Sequence, residues 1–343
     1  MRVLVTGVAG FIGSNVAKAL LALGEDVHVV GIDNMDPYYD VNLKKARLQS
    51  LNQNQRFIFI EGDIADKAFV DAVFDEHAPE YVLNFAAKVG VRHSVTHPDD
   101  YIRTNITGFF NILEACRRNP VKHLVYASSS SVYGTNSKIP YSTDDKVDTP
   151  VSLYAATKKS NELMAHSYSK LYEIPCTGLR FFTVYGPAGR PDMAYFKFTE
   201  QLVKGEKIQI FNYGDCKRDF TYIDDIVEGV VRVMQKPPQR KVGEDGLPEP
   251  PYALYNIGKS APESLMDFVQ ILQEELLASG VLPKDYDFQA HMELVPMQPG
   301  DVAVTYADTS ALERDFGFRP STSLRDGLKA FARWYALSRN VID

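Results

Sequence analysis

Tyr154 and Lys158 stand four residues apart in "YAATK", a spacing that sets both on one face of a helix. A phenol with a pKa near 10 is a poor base at neutral pH. An ammonium one turn away favours the phenolate, which can then exchange a proton with an alcohol. The pair alone also describes an ordinary exposed helix face. Four hydroxyls, Ser128–Ser131 in "YASSSSVYG", close an apolar run. A serine at such a strand end can share a proton with both the alcohol and the phenol. Some of the four are expected only to satisfy strand-end backbone groups.

A second set of residues concerns phosphate. "VTGVAGFIG" places Gly7, Gly10 and Gly13 between a β-rich run and a helical pattern. Phe11 and Ile12 lie among them. Such a loop needs a tight turn, close backbone approach to a pyrophosphate, and a helix N-terminus aimed at the anion. Asp33 ends the next strand, 20 residues after Gly13, where a carboxylate accepts hydrogen bonds from a ribose diol. Its neighbours Asn34, Met35 and Asp36 offer no cation for a 2′-phosphate, which favours NAD over NADP. Lys44, Lys45 and Arg47 lie further along. Asp63 and Ile64, after the third strand, are placed to line the adenine end. Asp63 in that position also suits a helix cap.

The elements that must hold these residues alternate. Strand-like runs are Arg2–Thr6, Asp26–Asp33, Arg56–Asp63, Tyr81–Ala87, His123–Ser128 and Cys176–Phe181. Helical patterns lie between them, from Phe11 to Leu23 before the stop at Gly24, and over Leu153–Tyr172. This alternation predicts an α/β chain with a Rossmann-type, doubly wound parallel sheet. After Phe182 the pattern loosens. Lys236–Tyr252, rich in Pro and charge, reads as an exposed insertion. Helices return over Glu263–Ser279 and Leu324–Leu337. The expected division is a dinucleotide domain over 1–182 and a smaller, mainly substrate-binding domain over 183–343, with the chain free to cross back. No fixed-period repeat is present.

The 343 residues carry a net charge of −7, which argues against a nucleic-acid surface and leaves room for a local basic pocket. Three scattered cysteines make neither a disulfide framework nor a zinc ribbon. No secretory leader is visible. No apolar run reaches the roughly 18–20 residues that span a bilayer. The cytoplasm is therefore the expected place, with no membrane partner. His93 and His97 have a zinc-like spacing, but no Glu follows the first of them in the H-E-x-x-H manner, so no metal is expected.

Together, the glycine loop, Asp33, "NFAAKVG", "SSSSVYG", "YAATK" and "RDFTYIDDI" resemble the extended short-chain dehydrogenase/reductase family over nearly the whole chain. "GIDNMDPYYDVNLKKARL", "RFFTVYGPAGRPDMAYFKF" and "MQPGDVAVTYADTS" resemble its UDP-glucuronate 4-epimerases most. The resemblance implies bound NAD, a UDP-sugar substrate, and a homodimer formed through paired helices that include the Tyr154 helix. It makes Tyr154 and Lys158 the catalytic pair. The serine that bonds the reacting oxygen maps best to Ser129, with Ser128 and Ser130 as neighbours. Ala86, Ala87, Lys88 and Asn105 match positions beside the cofactor. Arg218 matches a residue that approaches the diphosphate or ribose. Lys197 and Phe198 fall in the segment that meets the uracil. Gln298 and Asp301 fall in the nucleotide region, where galactose-type epimerases have Arg at the position of Gln298.

The related 4,6-dehydratases carry Asp-Glu where this chain has Ser130 and Ser131, and the related decarboxylases carry Glu at Ser131. Serines cannot replace those acids and bases, which argues against dehydration and decarboxylation. Oxidation at C4 of a glucuronate nevertheless gives a β-keto acid, which loses carbon dioxide when its C5–C6 bond stands perpendicular to the ketone. The expectation is that the serines and Thr183 grip the carboxylate by neutral hydrogen bonds, with Arg190 as a cationic helper. The alternatives are a 4-epimerase of a neutral UDP-sugar, a UDP-glucuronate decarboxylase, or a non-catalytic NAD-sensing protein on the same fold.

Overall fold

The computed structural model describes residues 1–243, 246–297 and 302–342. Its centre is a parallel sheet of seven strands: β1 (Arg2–Thr6), β2 (His28–Asp33), β3 (Phe57–Glu61), β4 (Tyr81–Asn84), β5 (His123–Ser129), β6 (Cys176–Phe181) and β7 (Tyr252–Ile257). They lie in the order β7-β6-β5-β4-β1-β2-β3. The order reverses between β1 and β4, so a crevice opens at the carboxyl ends of those strands, where open α/β sheets bind ligands. Residues 3–5 of β1 and all of β6 are buried, because helices cover both faces of the sheet.

Local chemistry sets the ends of the helix that carries Tyr154. The Ser152 hydroxyl caps its start by accepting from the Ala155 N–H at 3.1 Å. Glu173, left-handed at φ 58°, ends it. The helix therefore spans Leu153–Tyr172, the range read from the sequence.

The chain crosses between two cores after residue 182. Ile223, Ile226, Val230 and Met234, on the helix Ile223–Gln235, join Phe11, Val16 and Leu20 in the core on one sheet face. A second core gathers Phe196, Phe220, Phe268, Leu272 and Phe331 from the helices Ala194–Val203, Leu265–Ala278 and Leu324–Ile342 and the strand Phe220–Tyr222. Within the segment read as an insertion, Lys241–Val242 pairs antiparallel with Pro248–Glu249, and all four residues are exposed. Its last residue, Tyr252, starts β7, which the sequence reading did not find. No helix of the described residues is long and apolar enough to cross a membrane.

Candidate active site

A cavity of about 820 Å³ runs along the carboxyl ends of the strands into the second core. Its inner wall is the glycine loop. Gly7 sits at φ +68°, and a Cβ there would lie 2.7 Å from the Ala86 N. A Cβ on Gly13 would lie 2.3 Å from the Gly7 carbonyl oxygen. The first helix starts from Gly10 with no side-chain cap, so its first-turn N–H groups face outward for an anion. Phe11, Ile12, Asp33, Asn34, Asp63, Ile64, Ala86 and Ala87 line the same wall. An uncapped helix start, a backbone cradle closed to any Cβ and a buried carboxylate one strand away fit a dinucleotide.

The carboxylates of this wall are already engaged. Asp33 accepts from the Ala9 N–H at 3.1 Å, the Met35 N–H at 2.9 Å and the Lys44 ammonium at 3.2 Å. Asp63 accepts from the Ala65 N–H and from Arg103, at 2.8 and 2.7 Å; Asp66, not Asp63, caps the following helix. Lys88 lines the cavity and pairs with Asp36 at 2.7 Å and Asp100 at 3.4 Å. Asn105 is not among the lining residues. It lies in a π-helical turn, Ile102–Gly108, and its side-chain amide bonds the Lys88 N–H, the Lys88 carbonyl and the Thr157 hydroxyl. It thereby ties the loop that carries Lys88 to the Leu153–Tyr172 helix.

The groups expected to handle protons meet where β5 ends. Tyr154, Lys158 and Ser129 line one stretch of the cavity. Burial pushes the Tyr154 phenol up, and its hydrogen bond with Ser129 and the Arg190 charge act against this. Lys158 was expected to depress the phenol directly. Instead its ammonium donates to the Ala127 carbonyl at 2.8 Å, and burial pushes it down to about 8. Ser129 Oγ accepts from the Ser131 N–H and donates to Ser131 Oγ, both at 3.1 Å. Ser128 turns its hydroxyl to Glu162 at 2.7 Å, since successive strand residues face opposite ways. Glu162 also holds Arg180 by two bonds of 2.8 and 2.9 Å. The Ser128 hydroxyl is thereby tied to a buried ion-pair network, while the residue also lines the cavity. Ser130 and Ser131 line the cavity.

Across the opening stand Thr183, Arg190, Lys197, Phe198 and Arg218. Arg190 grips Asp192 through two bonds of 3.0 and 2.5 Å, and Asp192 also accepts from the Tyr38 hydroxyl at 3.2 Å. Burial would raise the Asp192 carboxyl, but Arg190 more than offsets it and holds the group ionised. Arg218 donates to the carbonyls of Lys217 and Ala303 at 3.0 Å. Gln298 and Asp301 lie outside the described residues.

The sequence profile of the NAD dependent epimerase/dehydratase family matches residues 3–258. The chain belongs to this family. It is 45% identical to UDP-glucuronate 4-epimerase 4 of Arabidopsis thaliana, over 98% of this chain and 75% of that one. It is 43% identical to a probable UDP-glucuronate 4-epimerase of Rhizobium meliloti (strain 1021), over 98% and 97%. Its fold is similar to the crystal structure of UDP-glucuronic acid 4-epimerase from Bacillus cereus in complex with UDP-glucuronic acid and NAD. There the TM-score is 0.85 and the identity 34%, over 98% of this chain and 100% of that one.

For a member of the epimerase/dehydratase family, the sequence reading missed several wall residues. Tyr38, Arg92, Asp192 and Phe211 line the cavity, as does Lys44, which the sequence offered only as a cation that could meet a 2′-phosphate. Tyr38 and Asp192 fall in "DNMDPYYDVNLKK" and "GRPD" and served only as marks of resemblance. The polar residues of those segments could have been tested as wall residues on that ground. Arg92 and Phe211 come together only in the fold, with the guanidinium 5.7 Å from the ring centre, and no local signal marks them.

Proposed function

We propose that this chain interconverts UDP-glucuronate and UDP-galacturonate with bound NAD, through a 4-keto sugar that turns over before it is reduced on its opposite face. The observation that carries this reading is the meeting of Tyr154, Ser129 and Lys158 in one cavity with the glycine cradle, beside serines where related dehydratases and decarboxylases have carboxylates. The names of the relatives and of the complexed neighbour support the acidic sugar.

Gly7, Gly10, Gly13 and the first helix turn would hold the pyrophosphate, Asp33 the adenosine ribose, and Lys158 the nicotinamide ribose. Held there, NAD would supply a hydride acceptor and, once reduced, the donor for hydride return, so the net redox change is zero. Tyr154 Oη takes the proton of the C4 hydroxyl and gives it back after turnover. Ser129 Oγ relays between that oxygen and the phenol. Lys158 acts on the phenol only through the cofactor, by fixing the nicotinamide ribose; the Ser129 hydrogen bond and the Arg190 charge favour the phenolate. Ser130 and Thr183 hold the carboxylate by neutral bonds, so that the C5–C6 bond stays out of the alignment that releases carbon dioxide. Lys197, Phe198, Arg218, Gln298 and Asp301 form the UDP end. Asp192, kept ionised by Arg190, cannot serve as the general acid that dehydration would need.

A homodimer is part of the proposal. Phe110, Leu163 and Leu171, on the helices Phe109–Arg118 and Leu153–Tyr172, are 41%, 60% and 66% exposed and suit a partner copy of the same helices. The cytoplasm is the proposed compartment, consistent with three buried free thiols. The division into a dinucleotide unit and a sugar unit is also a proposal. It follows the two cores, with residues 223–235 and 252–257 returning to the first.

One observation favours a neutral UDP-sugar as the second reading: the Arg190 charge is already paired with Asp192. Proton NMR of products from UDP-glucuronate and from UDP-glucose decides between them. UDP-galacturonate from the first, lost by roughly 10²–10⁴-fold in Tyr154→Phe, is the expected outcome. A pentose product, or turnover of UDP-glucose alone, would replace this reading.

A further inference from the structure

Lys44 is buried beside Asp33 in the cavity wall and has no role in the scheme above. Its ammonium lies 3.2 Å from Asp33 Oδ1 and 5.6 Å from the centre of the Tyr39 ring. Among the described residues, Asp33 is its one carboxylate partner. The other cations of the segment are engaged elsewhere. Lys45 is exposed on the helix Val41–Asn52 and does not line the cavity. Arg47 is buried and donates to the Ala9, Ala188 and Gly189 carbonyls and the Tyr39 hydroxyl, at 3.0, 2.9, 2.8 and 2.6 Å.

We infer that Lys44 is the second half of a cofactor-selecting pair: Asp33 rejects a 2′-phosphate, and Lys44, masked by that carboxylate, is a latent phosphate ligand. The inference rests on the dinucleotide reading of this cavity. A ribose presented to Asp33 is presented to Lys44 as well, because the two charged ends touch. With Asp33 ionised, the pair is close to neutral. A 2′-phosphate would then lose hydrogen bonds to a carboxylate and gain only repulsion from it. Once the carboxylate is made neutral, the same wall holds a buried ammonium with no counter-charge, and a phosphate dianion supplies one. Selection of NAD is then not a property of the acidic residue alone. It depends on a cation one helical turn into the next element.

The test is binding, not turnover. The full chain is incubated with equal NAD and NADP and freed of unbound nucleotide, and the retained dinucleotides are released and counted. The parent is expected to retain NAD. Asp33→Asn should raise the retained NADP-to-NAD ratio by at least about tenfold, and the double variant Asp33→Asn/Lys44→Gln should lose that gain. Calorimetry keeps the idea testable should Asp33→Asn not fold. In Lys44→Gln alone, the affinity for 2′,5′-ADP should fall at least about fivefold relative to that for 5′-ADP. An equal NADP gain with and without Lys44, or an unchanged affinity ratio in Lys44→Gln, overturns the inference. A parent chain that binds neither dinucleotide overturns it together with the reading of the cavity. A parent chain that binds NAD, with an NADP ratio that does not respond to Lys44, overturns the inference alone.

Discussion

The two ends of the cavity are built from different materials. The dinucleotide end is backbone: glycines packed so closely that a single methyl group has nowhere to go, and a helix start left uncapped. The sugar end is side chains, most of them already paired with one another, as in Tyr38–Asp192–Arg190 and Ser129–Ser131. Backbone geometry admits almost no substitution. Paired side chains can exchange partners when a ligand arrives. The first end should therefore fail sharply when altered, and the second should drift. Gly13→Ala is the strongest test of the sharp end. Its Cβ would meet the Gly7 carbonyl oxygen at 2.3 Å and the Val8 Cα at 3.0 Å, both backbone. A loss of about 3 kcal/mol in stability and of most bound NAD is expected, read by urea unfolding and nucleotide content. Full NAD occupancy in this variant would erase the contrast between the two ends.

Lys158 stands where the ends meet, and there function and stability oppose each other. Burial lowers its pKa from 10.5 to about 8. Between those values the unfolded chain holds a proton that the folded chain has shed, so stability rises with pH across that window. The cost is fully present below about pH 8 and amounts to about 3 kcal/mol. Lys158→Met removes it but strands the Ala127 carbonyl, at about 1–2 kcal/mol. Epimerisation should vanish while the chain gains about 1–2 kcal/mol at pH 7 and less at pH 9.5, measured by urea unfolding. A variant less stable than its parent at pH 7 would mean that the lysine is there for packing.

How much of this was legible in the sequence follows from the same contrast. Strands β1 to β6 and the Leu153–Tyr172 helix show themselves because apolar runs and helix stops act locally. The glycine loop is legible for the same reason, since close approach demands Gly at the position itself. β7 was missed because "YALYNI" follows a proline-rich stretch and becomes a strand only by pairing with β6. Tyr38 and Asp192 were missed because pairing across the fold decides which way a side chain is used. Asn105 belongs here too: its amide is shared between the Lys88 backbone and the Thr157 hydroxyl, partners that only the fold brings together.

Adjacent serines sharpen the point at smaller scale. Ser129→Ala removes the relay and should cut turnover by roughly 10²-fold with little change in stability. Ser128→Ala takes a bond from buried Glu162 and should cost about 1 kcal/mol in stability while turnover stays within a few-fold. Urea unfolding and steady-state rates, measured side by side, separate the two. Equal kinetic losses would mean that both hydroxyls reach the sugar.

The smallest expected effect carries the chemistry that distinguishes an epimerase from a decarboxylase. If neutral hydrogen bonds from Ser130 and Thr183 keep the C5–C6 bond away from the perpendicular alignment, each bond removed widens the arc through which that bond swings. Most turnovers still end in reduction, because hydride return does not wait for the carboxylate. A minority lose carbon dioxide first. Ser130→Ala and Thr183→Ala should therefore show a modest loss of rate and a new pentose signal in the product NMR, with the double variant leaking more than the sum of the two. A slower reaction with no pentose in any of the three would mean that the ring, not the carboxylate, is what the sugar end holds.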